Sequence, residues 1–196
     1  GINIVNPDNY VPIPIIPIGI SYFKNIGKED DELFCYSGTE QLIEEIKRIN
    51  EIRCPPFNES IKYINTEFSD FEIAQKLKVD YLIKTLVLKI DEKLQLNFSL
   101  LDTRSGDIVF EYSEKCTFNN LKAVIGKLII KITEEFDLEL DEYFRNLLRR
   151  KPTEIDDAYK KYLIAKKIIN QMSEIDKIKK ADKLLAEAIE QDNKFV

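Results

Sequence analysis

Alternating apolar and polar residues in the middle of the chain give the clearest structural signal. In Lys93–Asp102 every second residue from Leu94 to Leu100 is apolar. This period of two predicts a strand with one buried face and one face in water. A strand is also predicted on either side of it: the largely apolar Asp80–Ile90 before it, and Ile108–Cys116, which follows a turn at residues 104–107. Because the links between the three are short, we expect an antiparallel meander.

A second periodicity, of helical type, begins near residue 118. Apolar residues then recur every three or four positions as far as Phe136. This amphipathic stripe predicts a long helix packed against the sheet. A helix is also predicted to open at Thr39, after a charged loop at Lys28–Glu32, and Ser69 is the predicted N-cap of a shorter helix further along the chain.

The most apolar stretch of the chain, Val11–Ile20, contains three prolines. Proline has no backbone N–H to donate, so this stretch predicts a strand at the edge of the sheet. It is about half as long as the ~20 residues that a membrane-spanning helix needs, so no direct membrane insertion is expected. A second, short strand is predicted at Ile52–Cys54, where a pair of prolines ends it.

Pro152 and Thr153 mark the predicted end of the first domain. Pro152 stops a helix, and Thr153 is a suitable N-cap for a new one. Two amphipathic patterns separated by a short polar link follow, and they predict an antiparallel helix pair. We therefore expect an α/β domain at residues 1–150, with a mixed and mostly antiparallel sheet packed by helices, and an all-α helix pair at residues 151–196.

The composition argues against several kinds of chemistry. The 196 residues include no histidine, so Ser-His and Cys-His nucleophiles, an imidazole base and His-bearing zinc sites are excluded. The chain has 29 basic and 35 acidic residues, a net charge of -6, whereas nucleic-acid-binding domains normally have a basic excess. We expect no catalytic site, no cofactor, no metal and no nucleic acid.

Three cysteines and one acidic run are the remaining candidates for chemistry. Cys35, Cys54 and Cys116 are odd in number and widely spaced. This favours free thiols in a reducing compartment, and one disulfide with a spare thiol is also compatible. The run Glu29–Glu32 could imitate a metal cluster, but consecutive acids in a loop are normally just solvated. The cysteines favour the cytoplasm, with a periplasmic or envelope-anchored location as the alternative.

Several short motifs, taken in their order along the chain, resemble the TolB amino-terminal-like family, also found as the FlgO-like domain. The best match is Ala74–Ile83, which in the family is a helix ending in Leu-x-Val-Asp-Tyr and running into a strand. Ile18–Asn25 resembles the family's first strand with its Phe-x-Asn ending, and Gly38–Ile43 resembles the start of its first helix. Leu100–Thr103, followed by Gly106, resembles its Leu-x-Asp-x-x-x-Gly hairpin.

The resemblance covers about residues 18–142 and implies structural roles for six positions. They are Phe23, Asn25, Asp80, Tyr81, Asp102 and Gly106. Phe23 and Asn25 are expected to fix the first loop. Tyr81 is expected to pack and Asp80 to hydrogen-bond the preceding turn, while Asp102 forms an Asx-type turn. Tyr22 departs from the family, which usually has proline there.

The predicted helix pair resembles the start of a tetratricopeptide repeat, a helix pair of about 34 residues. The small, large and small positions of its second helix are matched by Ala181, Leu185 and Ala188. Asp192–Phe195 resembles the link into a next repeat, with asparagine in place of the usual proline. Because one pair cannot bury both of its faces, we expect the natural chain to continue past Val196, and we expect Gly1 to begin a fragment.

The resemblance implies a regulatory role, because such domains commonly follow a class III adenylate or guanylate cyclase in bacterial proteins. The leading hypothesis is a non-catalytic regulatory and protein-interaction region of a bacterial signalling protein of the cyclase type. One alternative is an envelope-associated assembly protein that acts like TolB or FlgO. Another is a small-ligand sensor with a pocket between sheet and helix or at the junction of the domains.

Two surfaces are candidates for partners. The inner face of the helix pair would bind a protein partner through Tyr159, Tyr162 and Lys166, since repeat arrays bind on their concave side. The unpaired edge near Pro12–Pro17 would pair with the same edge of a second copy and form a homodimer.

Overall fold

The elements of the protein are given by a computed structural model, which describes residues 14–27, 31–90, 93–171, 175–192 and 194. The strands within these residues are β1 (Ile16–Ile20), β2 (Lys24–Asn25), β3 (Ile52–Arg53), β4 (Tyr81–Ile90), β5 (Lys93–Asp102) and β6 (Ile108–Cys116). The helices are α1 (Glu32–Ile46), α2 (Phe57–Ser60), α3 (Asp70–Leu77), α4 (Leu121–Glu135), α5 (Glu142–Leu148), α6 (Asp156–Gln171) and α7 (Ile175–Gln191). The chain is an α/β protein, as its sequence predicts.

The strands of the described residues form one mixed sheet in the order β3-β1-β4-β5-β6, with β2 also paired to β4. β1 runs parallel to β3 and β4, whereas β4, β5 and β6 are antiparallel neighbours. The predicted meander is therefore confirmed. Along β5, Leu94 and the apolar residues at alternate positions after it are buried, because they face the helices.

The first strand is not at the edge of the sheet, so the prediction for Val11–Ile20 is wrong on this point. β1 begins at Ile16 and pairs with β3 through Ile16 and Pro17, and with β4 through Ile18 to Ile20. Pro17 lies near the start of the strand, where a missing donor is tolerated, and the residues after it are buried as an inner parallel strand requires. Of the predicted homodimer edge at Pro12–Pro17, residues 12 and 13 lie outside the described residues, and Ile16 and Pro17 already have a strand beside them.

Helices cover both faces of the sheet. On one face α1 and α4 pack over the sheet in the main apolar core, which includes Phe23, Phe98 and Ile129. On the other face α3 packs through a smaller cluster that includes Ile73 and Leu82. Ser69 caps α3 as predicted: its hydroxyl accepts from the Glu72 backbone N–H, and the Glu72 carboxylate accepts from the Ser69 N–H in return.

Helix α1 begins at Glu32, well before the predicted start at Thr39. Its early turns contain Gly38, and because glycine is a poor helix former, the sequence of these turns does not predict a helix. Packing explains the glycine: a Cβ at Gly38 would lie 2.5 Å from the ring of Phe23. Of the acidic run, Glu32 lies in the first turn of α1, where a negative charge is favourable, and Glu29 and Asp30 lie outside the described residues.

The carboxyl-terminal part of the chain is the predicted antiparallel helix pair, formed by α6 and α7. Thr153 accepts a hydrogen bond from the Ile155 backbone N–H at 3.1 Å and donates its hydroxyl to Asp192 after the end of α7. Ala181 and Ala188 on α7 are buried. The division at residue 150 and the repeat character of the pair remain predictions.

Candidate functional site

Helices α1 and α6 meet along a line of polar and aromatic side chains, which we call the α1–α6 seam. It consists of Glu40, Gln41 and Glu44 on α1 and of Tyr159, Tyr162 and Lys166 on α6. Residues three or four apart lie on the same face of a helix, so the spacing of each set places it on one face. The seam brings together all three side chains that the sequence suggests for partner binding.

Tyr159 is the buried centre of the seam. It is 2% exposed, and its hydroxyl donates to the side-chain carbonyl of Gln41 at 3.2 Å. Its ring stacks on that of Tyr162, with 5.7 Å between the centroids. Burial raises the pKa of Tyr159, so the hydroxyl keeps its proton and remains a donor at neutral pH.

Lys166 is the charged end of the seam. Its Nζ lies 2.7 Å from the Glu44 carboxylate and 3.2 Å from that of Glu40. Burial lowers the pKa of Lys166, but the hydrogen bonds and charges of Glu44 and Glu40 outweigh burial and raise the pKa overall. Asn170 also donates to Glu40. A cation shared by two carboxylates thus ties the helix pair to the α/β part of the chain.

A cleft of about 260 Å³ opens beside the seam, between α1, α4 and α6. Lys122 and Glu45 line it, with 3.9 Å between Nζ and a carboxylate oxygen. Gln41 lines it as well, and its buried Nε2 has no hydrogen-bond partner among the described residues. An amide donor without a partner carries a desolvation cost, which a bound acceptor would relieve.

Of the three residues that the sequence suggests for partner binding, Tyr159 is buried, because its side chain packs α6 against Gln41. Tyr162 and Lys166 are partly buried. The inner face of the pair therefore faces the α/β part of the chain at this point. A partner-binding role for Tyr162 and Lys166 remains a prediction.

Isoleucines on the outside of the helix pair were not singled out from the sequence. Ile178 is 47% exposed and Ile189 is 58% exposed. They are about three turns apart on α7 and share one side of it, with the half-buried Leu185 between them. The signal was present in the sequence, because the apolar stripe of α7 is wider than contact with one neighbouring helix requires.

A second, larger cleft of about 440 Å³ lies where β1 ends and β2 begins, beside the connection that follows α2. Lys84 and Asp70 form an ion pair of 2.6 Å on its wall. Thr85 also lines it, and the buried Oγ1 of Thr85 has no hydrogen-bond partner among the described residues. The aromatic rings of Tyr63 and Phe68 complete this wall, so the cleft offers both polar and apolar contacts.

The β5–β6 hairpin gathers the family-motif residues around Arg104. Asp102 accepts from the Arg104 backbone N–H at 2.9 Å, which is an Asx turn, and from its guanidinium at 2.8 Å. The guanidinium also donates to the Tyr81 hydroxyl at 2.7 Å and lies 3.9 Å from the Asp80 carboxylate. Gly106 has a φ of 84°, which favours glycine. The sequence did not single out Arg104, although its position two residues after Asp102 was a signal.

The contacts of Arg104 favour the charged form of Asp102. The side-chain hydrogen bonds from Arg104 lower the pKa of Asp102 to about 2. Tyr81 packs edge-on against Phe136, with 4.8 Å between the ring centroids. The backbone N–H of Asp80 donates to the Pro17 carbonyl. The cluster therefore joins the hairpin to β1 and to the end of α4, and these contacts stabilise the fold.

Phe23 and Asn25 lie in and beside the link between β1 and β2. The Phe23 backbone N–H donates to the Thr39 hydroxyl at 2.9 Å, and its ring meets Phe98 edge-on. The Asn25 side-chain carbonyl accepts from the Gly27 N–H at 2.8 Å. The contacts of Phe23 hold the loop against α1 and β5, and the Asn25 bond closes a turn within the loop itself.

The cysteines are buried thiols outside any disulfide in the part of the chain that the structure describes. Burial raises the pKa of Cys54 to about 12 and also raises that of Cys116. Thiols of this kind are inert to oxidation and exchange. They therefore do not distinguish a reducing compartment from an oxidising one. The three cysteines thus give no support to a cytoplasmic location.

The described residues offer neither a metal site nor a membrane span. Among the described residues no three acidic or cysteine side chains are grouped so that they could hold a metal ion. None of the described helices combines the length and the apolar character that crossing a bilayer requires.

No protein-family profile and no curated protein matches this sequence. Solved structures with partial similarity include TolB from Acinetobacter baumannii, at 10% identity over 64% of this chain with a TM-score of 0.45. The LpoB C-terminal domain from Escherichia coli matches at 10% identity over 57% of this chain and 89% of its own, with a TM-score of 0.44. Lipoprotein GNA1162 from Neisseria meningitidis matches at 14% identity over 64% of this chain and 99% of its own, with a TM-score of 0.39.

The chain spans 29% of the length of the TolB chain that it matches. At these identities and TM-scores, the similarities do not extend to function.

Proposed function

We propose that this chain is a non-catalytic protein-interaction module of a bacterial envelope assembly, in which the α6–α7 pair presents the partner-binding surface. The observation that carries the proposal is the apolar stripe of α7, in which the exposed Ile178 and Ile189 flank the half-buried Leu185. Clusters of exposed apolar side chains on a soluble protein are typical of interaction sites.

The seam supports this assignment because it fixes which side of the helix pair remains available. Tyr159 and Lys166 hold α6 against α1, and α7 packs on α6 through Ala181 and Ala188. The stripe on α7 therefore remains exposed to solvent, and the contacts of α6 with α1 hold the helix that supports it in place. A rigid apolar stripe with this spacing suits an amphipathic helix of a partner, which would bury its own apolar residues against it.

The envelope setting requires fewer further parts than the cyclase setting. The TolB-like resemblance rests on positions such as Tyr81, Asp102 and Gly106, which form one cluster in this chain. This resemblance fits both settings, but the cyclase setting also requires a catalytic module, and no residue of this chain matches a cyclase motif. The buried thiols are compatible with either compartment, so they do not favour the cytoplasm.

Photo-crosslinking in cells tests the proposal. A photoreactive amino acid would replace Ile178 or Ile189 in the full natural protein, and in a control protein it would replace Lys183, an exposed residue on another face of α7. We expect both stripe positions to crosslink to the same envelope protein and Lys183 not to. Equal crosslinking at Lys183, or none at the stripe, would contradict the proposal. Crosslinking to a cytoplasmic signalling protein would support the cyclase setting instead.

A small-ligand sensor is the second candidate, and the larger cleft favours it. Its volume of about 440 Å³ is in the range of small-molecule sites. The buried Thr85 hydroxyl on its wall has no partner among the described residues. Thermal shift against nucleotides and polyamines, compared between the wild type and Thr85→Val, tests it. A ligand that raises the melting temperature of the wild type more than that of the variant would support the sensor, and no shift with any ligand would count against it.

A further inference from the structure

The outer side of β6 is an edge with room for another strand. β6 comprises Ile108–Cys116 and pairs with β5 on one side. Among the described residues, no strand pairs with its other side. An edge of this kind presents a row of backbone N–H and C=O groups that a further strand can bond.

This edge has few of the features that normally block pairing. Its sequence, IVFEYSEKC, contains neither proline nor glycine. An irregularity in the pairing between Leu100 and Leu101 interrupts the register near Val109, so the regular part of the edge runs from Phe110 to Cys116. That length is ample for a ladder, because strands in globular proteins are typically about five or six residues long.

The regular part of β6 is complementary to itself. When two copies pair antiparallel about a twofold axis at Ser113, Glu111 of each copy stands opposite Lys115 of the other. Both side chains are exposed on the wet face of the sheet. Directly opposite residues in an antiparallel pair have neighbouring side chains, and opposite charges at such positions attract.

The helix-side face of the edge is complementary in the same register. There Tyr112 of each copy stands opposite Glu114 of the other, and within one chain the Tyr112 hydroxyl already donates to Glu114. Lys127 on α4 lies 3.1 Å from the Glu114 carboxylate, and the Lys131 Nζ lies 5.1 Å from the centroid of the Tyr112 ring. In the paired arrangement the α4 helices of the two copies lie on the same face of the joined sheet, each with Lys127 and Lys131. The negative charge of Glu114 offsets the repulsion between these lysines.

We propose that β6 pairs with β6 of a second copy of this chain, antiparallel and centred on Ser113, so that two sheets become one continuous sheet. The partner strand is β6 of a second copy, because β6 itself contains both the acidic and the basic residue of the opposed pair. The pair then occurs twice in the interface, as twofold symmetry requires. Centring the axis on Glu111 or Glu114 would place two like charges opposite each other, and centring it on Tyr112 would place Glu111 opposite the uncharged Ser113. Of these registers, the one centred on Ser113 pairs opposite charges.

Charge reversal tests the proposal without disturbing the fold, because both side chains are exposed. Sedimentation velocity over a range of concentrations measures the monomer–dimer equilibrium of the wild type. Glu111→Lys alone and Lys115→Glu alone each place like charges opposite each other at two sites, and we expect each to weaken the homodimer about tenfold or more. The double variant E111K/K115E restores both opposite-charge pairs and should dimerise like the wild type.

Mixing the two single variants gives the sharpest readout. Glu111→Lys in one chain then faces Lys115→Glu in the other, and the unchanged Lys115 faces the unchanged Glu111. We expect a heterodimer, detected when a tagged Glu111→Lys chain retains an untagged Lys115→Glu chain. Lys183→Glu and Glu190→Lys, which make the same changes of net charge on α7, should dimerise like the wild type.

Each result decides the proposal. A wild type that stays monomeric throughout the concentration range overturns it. A dimer that tolerates Glu111→Lys, or single variants that fail to recover on mixing, also overturns it. Far-UV circular dichroism and thermal melting of every variant separate weakened pairing from unfolding.

Discussion

The hydroxyl of Tyr159 donates to the side-chain carbonyl of Gln41 at 3.2 Å, across 118 positions of sequence. This hydrogen bond and the packing of the buried Tyr159 ring hold the helix pair against α1. Replacing Tyr159 with alanine should lower the free energy of unfolding by about 3 kcal/mol, since deletion of a buried aromatic ring leaves a cavity. Urea unfolding, followed by circular dichroism, measures the change.

Two controls separate the ring from the hydroxyl. Tyr159→Phe keeps the ring and should cost about 1 kcal/mol, the net value of one hydrogen bond. Tyr143→Ala removes a tyrosine that is 79% exposed and should change the free energy of unfolding little. Equal losses at Tyr143 and Tyr159 would show that the seam does not stabilise the fold.

Gly126 on α4 is required by the close approach of α5. A Cβ at this position would lie 1.9 Å from the backbone carbonyl oxygen of Leu148. Gly126→Ala should therefore lower the free energy of unfolding by about 1–3 kcal/mol, although alanine is the better helix former. Glu135→Ala, at an exposed position of the same helix, is the matched control. A Gly126→Ala protein as stable as the wild type would mean that the two helices do not approach this closely.

The Asp102–Arg104 turn predicts a specific response to acid. Hydrogen bonds from the Arg104 side chain lower the pKa of Asp102 to about 2, below the value of about 3.9 expected for an unfolded aspartate. A lowered pKa means that the carboxylate contributes stability above about pH 4 and that this contribution is lost as the pH falls to about 2. Arg104→Ala should lower the free energy of unfolding at pH 6, because it removes the side-chain hydrogen bonds that favour the charged form of Asp102.

Unfolding measured between pH 2 and pH 6 checks this prediction. The difference between the wild type and Arg104→Ala should narrow as the pH falls, and the NMR titration midpoint of Asp102 should move up in the variant. Lys183→Ala, which removes an exposed cation elsewhere, should follow the wild-type profile. A constant difference across the range would exclude the proposed cause.

Local patterns predicted the elements whose stability depends on local spacing. β5 and β6 have the predicted bounds. Period-two alternation marks the residues of β5 that face the core, and the turn before Ile108 marks the start of β6. The stripe of α4 and the N-cap at Ser69 were equally readable from the sequence. In each of these cases the informative residues lie within a few positions of one another.

Contacts between distant segments were not predictable in the same way. The early turns of α1 depend on Gly38 accommodating the ring of Phe23, and the inner position of β1 depends on β3 covering Ile16 and Pro17. The burial of Tyr159 depends on Gln41. For the candidate site, sequence reasoning therefore found the seam residues of α6 but not their partners on α1.

The parallel pairing of β1 with β4 has a consequence for the newly synthesised chain. Ile18 pairs with Tyr81, so the apolar strand leaves the ribosome long before its partner exists. Closing so large a loop is also slow compared with forming the meander, whose strands follow one another directly. A nascent chain halted before Tyr81 would expose Ile16–Ile20 to solvent, and that stretch is where we expect a chaperone to bind first.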